Sequence, residues 1–235
     1  MTYRRLKKQI TSLLQTQGLD QSLPTITQLP ARQTISPLFS LLYHGQNAIR
    51  WRAVSAIGVV VAQLADQDPA AARVCMRRLM WHLNDESGGI GWGSPEAMGE
   101  IMAQHKVLAE EYAGILVSYL APWGNYLEHE VLQQGVLWAL ARLGHCRPQL
   151  VQPAGPLLAP FLKSSSAALR GLAAWAAGPI LTPELKPEVE VLGRDGSKFT
   201  LYWDRHLRSR TVAWAAEAAL KQHSERIRVG SIPSQ

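Results

Sequence analysis

Apolar residues recur along this chain at intervals of three and four, the spacing that gathers them on one face of a helix. Within 4–17, Leu6, Ile10, Leu13 and Leu14 make such a stripe, with Arg4, Arg5, Lys7 and Lys8 on the other side. From about residue 36 the pattern repeats. Five segments align without gaps: 50–58 (RWRAVSAIG), 91–99 (GWGSPEAMG), 133–141 (QQGVLWALA), 170–178 (RGLAAWAAG) and 208–216 (RSRTVAWAA). They end at Gly58, Gly99, Ala141, Gly178 and Ala216, spaced by 41, 42, 37 and 38 residues. The preceding column is Ile57, Met98, Leu140, Ala177 and Ala215, and the column four before the end is Val54, Pro95, Leu137, Ala174 and Val212. These offsets share a helix face, and the small final residue lets a neighbouring helix come close. A period near ~40 residues marks paired helices that bury their apolar faces only by stacking.

The first four repeated segments each follow another apolar run, at 37–43, 71–83, 107–120 and 150–162, which supplies the first helix of a pair. Pro153, Pro156 and Pro160 should kink or shorten the last of these. The expected fold is therefore all-α: a right-handed α-solenoid of about five helix pairs over 36–221, within a single domain of 1–235. The ends depart from the repeat. Residues 1–17 read as an N-terminal capping helix, 18–35 with Pro24 and Pro30 as a linker, and 222–235 as a flexible tail. Residues 188–203 (EVEVLGRDGSKFTLYW) alternate on either side of Asp195-Gly196, which predicts one small β-hairpin inserted where a first helix should stand.

The R-x-x-A-a-x-A-x-G pattern at 50–58, echoed at 170–178, resembles the HEAT-like repeat of phycobilisome-lyase type. The stretch 77–101 (RRLMWHLNDESGGIGWGSPEAMGEI) resembles a group of uncharacterised bacterial HEAT-repeat proteins. The resemblance implies helix-pair stacking and a scaffold that holds other molecules; by analogy alone it extends to handling a prosthetic group. HEAT-like DNA glycosylases are an enzymatic precedent for a basic solenoid with tryptophans in its cleft. Here Trp138 is followed one turn later by Arg142, where that likeness would need a carboxylate.

Composition narrows the picture only modestly. With 47 % apolar and 18 % charged residues the chain is outside the disordered class. A net charge of +6 leaves both acidic proteins and nucleic acid open as partners. Cys75 and Cys146 form no C-x-x-C, which argues against a disulfide framework or zinc knuckle and for a reducing cytoplasm. The N-terminal stretch lacks the apolar run of an export signal, and the most apolar stretch, 53–65, contains Ser55 and Gln63 and is too short to span a bilayer. No H-x-x-x-H, H-E-x-x-H or G-x-S-x-G occurs, so no catalytic residue, metal ligand or cofactor is assigned, and catalysis is not expected.

The least repeat-like feature is the Gly-rich, acidic loop 84–93 (NDESGGIGWG). Its glycines free the backbone to approach a ligand, and Asp85, Glu86, Glu96 and Glu100 would gather one acidic lobe. Equally, four glycines can make a tight turn, with Ser94 capping the next helix, Pro95 at its first position and the acids solvated. The column three before the end of the repeat is mixed: Ser55, Glu96, Trp138, Trp175 and Ala213. If the second helices line a concave side, it presents Trp138 and Trp175 beside Trp92, Glu96 and Arg142, suited to anchoring a protein partner; otherwise the tryptophans fill space between small neighbours. Basic residues gather at Arg4 to Lys8, at Arg73, Arg77 and Arg78, and at Arg205, Arg208 and Arg210. They are either a phosphate-tracking stripe for nucleic acid or solvated helix faces.

Overall fold

The computed structural model describes residues 2–16, 18–84 and 91–230. Helices dominate: α1 (Tyr3–Thr16), α2 (Leu19–Thr27), α3 (Ala31–Leu41), α4 (Asn47–Gln67), α5 (Pro69–Leu83), α6 (Ser94–Gln104) and α7 (Lys106–Ser118) come first. They are followed by α8 (Glu130–Gly144), α9 (Pro148–Val151), α10 (Gly155–Leu162), α11 (Ala167–Ala177) and α12 (Lys186–Val191). A two-stranded hairpin, β1 (Lys198–Trp203) and β2 (His206–Thr211), leads into α13 (Val212–Gly230). Where a single domain was expected, the chain divides into two compact units: 1–112 with the hairpin tip 202–207, and 113–201 with 208–235.

In the first unit α4 is the central element, with α3, α5 and α6 packed around it. Val54, Ile57, Val61 and Leu64 give it buried residues at intervals of three and four. It is long and apolar enough to cross a membrane, and it spends that apolar surface mostly on packing. Gly58 shows why the repeat ends on a small residue: a methyl group there would lie 2.4 Å from Glu100 Cγ and 3.3 Å from the Glu100 carbonyl carbon, so α4 and α6 meet almost backbone to side chain. The capping helix α1 buries Leu6, Ile10 and Leu14 and turns Arg4, Arg5 and Lys8 to solvent.

The second unit repeats the logic with α8, α11 and α13. A methyl group on Gly178 would meet Gln222 and the Ala219 backbone, the same close approach three repeats later. The prolines of 150–162 break that first helix into α9, a single 3₁₀ turn and α10, as their lost amides require.

Three sequence expectations need correction. The linker 18–35 is helical, because Leu19, Leu23 and Ile26 share a buried face in α2 and Pro30 immediately precedes α3, where it costs no hydrogen bond. The tail 222–235 is helical as far as Gly230. The hairpin lies C-terminal to its predicted place: Asp204 (φ 51°) and Arg205 (φ 60°) make its turn, and 188–194 is helical. Val189 and Leu192, three apart, are both buried, a spacing that a helix satisfies and a strand does not. Asp195, expected at the hairpin turn, lies before β1, where it accepts from the Ser197 amide at 2.9 Å and from Arg170 at 2.8 Å.

Candidate partner-binding site

A cluster in the first unit is built on the turn into α6. Gly91 (φ 63°) and Gly93 (φ 75°) adopt left-handed backbone. Side chains there would strike the His82 carbonyl at 2.7 Å and Leu42 at 3.0 Å, so this turn is seated against the ends of α5 and α3. Trp92, between the two glycines, lies with its ring centroid 5.7 Å from the Arg50 guanidinium carbon, a cation–π contact reaching it from α4.

Glu96 follows in the first turn of α6. Its Oε2 is shielded from solvent and has no hydrogen-bond partner among the described residues. Burial lifts its carboxyl to about 7, against the opposing pull of its own backbone amide and of Arg50. Around the same corner, His82 meets the rings of Phe39 and Tyr43 edge-on, at 6.1 and 6.3 Å. Tyr43 is 46 % exposed and Trp81, next to His82, 73 %.

Arg50 differs from its repeat counterpart. In the second unit Arg170, in the same column, is fully engaged: it donates to Asp195 at 2.8 Å, to the Ser164 and Ser165 carbonyls at 2.7 and 2.9 Å, and to Ser197 Oγ at 3.4 Å. Burial opposes ionisation of Asp195, but the Ser197 amide and hydroxyl and Arg170 together hold its carboxyl below the usual range. Arg50 forms no ion pair within 4 Å among the described residues, and its guanidinium stands over an aromatic ring beside a carboxylate.

The other expected site residues are dispersed. Glu100, one turn after Glu96, is 6 % exposed and faces α4. It accepts from Gln104 at 2.9 Å and sits in a polar seam where Ser55 and Tyr202 share a 2.9 Å hydrogen bond and Tyr202 stacks on Trp51 at 4.7 Å. Trp138 and Trp175 are 2 % and 4 % exposed, within the core of the second unit, so they do not offer a surface row. The Trp175 ring meets His145 edge-on at 5.1 Å. Arg142 is half-buried and donates to Cys146 Sγ at 2.9 Å. Ser94, expected as a helix cap, is the first helical residue, and its buried hydroxyl has no partner among the described residues. Asp85 and Glu86 lie outside the described residues.

Much of the basic set is engaged within the chain. Arg73 is bidentate to Glu111 at 2.8 and 2.5 Å, Arg205 pairs with Asp20, and Arg210 covers Trp214 at 4.8 Å. Arg208 is exposed. Arg77 and Arg78 line a groove with Arg32. Among the described residues, no group of three or more His, Cys, Asp or Glu is placed to hold a metal ion. Sequence reasoning passed over Arg50 and Tyr43 as site residues. The signal for Arg50 was its place at the head of the repeat, and nothing marked Tyr43.

This geometry defines an all-α helical-repeat protein with one small hairpin. No family model matches the chain. Over 88 residues it is 33 % identical to an uncharacterized protein of Archaeoglobus fulgidus, a match covering 37 % of this chain and 45 % of that protein. The chain thus spans less than half the length of that relative. Its fold is similar to a designed armadillo repeat protein solved with the peptide (KR)4, at TM-score 0.51 and 21 % identity, over 91 % of this chain and 98 % of that one. It is also similar to computationally designed armadillo repeat proteins for modular peptide recognition, at TM-score 0.50 and 21 % identity, over 91 % and 98 % of the two chains.

Proposed function

We propose that this protein is a non-catalytic interaction scaffold, an adaptor or assembly factor of a reducing cytoplasm, that captures a peptide segment of a protein partner at the Arg50, Trp92 and Glu96 cluster. The observation that carries this reading is the convergence of an aromatic face with a guanidinium and a shielded carboxylate oxygen that, among the described residues, have no ion pair and no hydrogen-bond partner respectively. A peptide backbone offers a donor and an acceptor at every residue, so one extended segment can donate to Glu96 and accept from Arg50 while a side chain packs on Trp92. Tryptophan and arginine are the residues that most often dominate such interfaces. The armadillo-type neighbours, described as peptide-recognition proteins, support the class of partner. The finer kinship with the phycobilisome-lyase type of repeat rests on the pattern at 50–58, and a bound prosthetic group would announce itself as visible absorbance in the purified protein. A displayed random-peptide library panned on the wild type, with Trp92→Ala as the comparison and Trp123→Ala as the control, tests the proposal. Peptides that bind the wild type and the control but lose about tenfold or more in affinity on Trp92→Ala support it. Selection that yields no specific peptide, or peptides indifferent to Trp92, contradicts it.

A further inference from the structure

The first unit carries a second surface that the cluster above does not use. Between α3 and α5, over the C-terminal end of α4, runs an open groove of about 500 Å³. Its floor is apolar: Ile35, Leu64 and Cys75 are buried there, and Val74 is left 46 % exposed. Its walls are basic, with Arg32 on α3 facing Arg77 and Arg78 on α5.

The charges are not equivalent. Arg32 pairs with Asp68, which also caps α5 by accepting from the Ala71 amide at 3.1 Å, so that pair is locally neutral. Arg78 is held in place by Phe39, 4.7 Å beneath its guanidinium, and by Ser36 Oγ at 3.4 Å, with no carboxylate paired to it among the described residues. Arg77 is exposed and forms no ion pair among the described residues. Among the described residues, the groove therefore holds two guanidinium groups with no carboxylate paired to them, both capable of bidentate contact, over a hydrocarbon floor.

We infer that this groove is a docking site for an acidic peptide segment of a protein partner, with apolar side chains entering between Ile35, Leu64 and Val74 and carboxylates meeting Arg77 and Arg78. The same chemistry disfavours a phosphate backbone. Nucleic acid is held by a row of cations and gains nothing from a buried apolar floor. Arg73, which would extend the row, is committed to Glu111 through two hydrogen bonds. An acidic, partly apolar peptide uses both halves of the groove, and its carboxylates match the charge that the chain leaves open.

Fluorescence anisotropy with a labelled short peptide alternating Glu and Leu tests this on the full chain. The comparators are the same peptide with Lys for Glu, and a single-stranded oligonucleotide of equal length. The acidic peptide is expected to bind the wild type and to lose about tenfold or more in affinity for the Arg77→Glu, Arg78→Glu variant, with the Lys peptide and the oligonucleotide weaker than the acidic peptide on the wild type. Because Arg78 also packs on Phe39, Arg77→Glu alone serves as the variant whose fold is not at risk, and it should give a smaller loss in the same direction. Trp92→Ala should leave this binding unchanged, which separates the groove from the cluster at the turn into α6. No binding of the acidic peptide, equal binding to the charge-reversed proteins, or an oligonucleotide that binds as tightly would overturn the inference.

Discussion

Glu96→Gln removes a carboxylate from a place where one of its oxygens meets neither water nor a donor. Burial raises the folded-state carboxyl from 4.5 to about 7, partly offset by the Glu96 amide and Arg50. Between those two values the folded protein holds the proton more tightly than the unfolded chain does, so the contribution of this residue to stability is greatest below pH 4.5 and declines as pH rises to about 7. At about 1.4 kcal/mol for each unit of pH, the decline across that interval amounts to about 3 kcal/mol, an upper bound because an ionised carboxylate draws in water. Glutamine keeps the shape and cannot ionise, so the variant escapes the decline. Urea unfolding followed by circular dichroism at several values between about pH 5 and about pH 8 reads the difference directly. The wild type and variant should nearly coincide at the acid end, with the variant more stable by about 2–3 kcal/mol at the alkaline end. A pH-independent difference between the two, or a variant less stable at about pH 8, would refute the assignment of a shielded carboxyl.

Three further outcomes follow from packing. Gly58→Ala forces a methyl group to within 2.4 Å of Glu100 Cγ, and the overpacked α4–α6 contact should lose about 1–3 kcal/mol in a thermal melt; an unchanged melting temperature would show that α4 and α6 separate freely. Arg170→Ala strips Asp195 and two carbonyls of their donor and should cost about 2 kcal/mol at neutral pH. The Asp195 carboxyl is held low, so its stabilisation is present above its ordinary value of 3.8 and lost on acidification below it; the variant should show a weaker acid-induced loss, measured by fluorescence against pH. Tyr202→Phe should cost about 1 kcal/mol for the lost hydrogen bond to Ser55, and Tyr202→Ala about 3 kcal/mol or more once the stack on Trp51 is gone, both read by urea unfolding.

The helical repeat was legible because it is written in local spacing. Gly58 and Gly178 end their segments for a reason the structure makes concrete, a neighbouring side chain or backbone within contact distance. The hairpin was legible in kind but not in place: Asp195 accepts from the Ser197 amide in a local turn and from Arg170, while the strands turn at Asp204 and Arg205. Non-local packing decided the site in the same way. Glu96 and Glu100 are one turn apart and looked like a pair, yet one stands at the corner with Arg50 and Trp92 and the other faces α4. Trp138 and Trp175 occupy a chemically mixed column, which suggested a surface; both are core, while Glu96 in the same column is only partly buried. Arg50 and Arg170 look identical in the repeat, and only their neighbours separate them: Arg170 is bonded to Asp195, whereas Arg50 lies over the Trp92 ring.

The central claim is that a peptide segment binds where Arg50, Trp92 and Glu96 converge. Backbone hydrogen exchange of the wild-type protein, with and without the tightest library-selected peptide, tests it most directly. Protection confined to the C-terminal ends of α3 and α5, the start of α4 and the turn into α6 is the predicted result. Protection centred on α8 and α11, or none at a saturating peptide concentration, would contradict it.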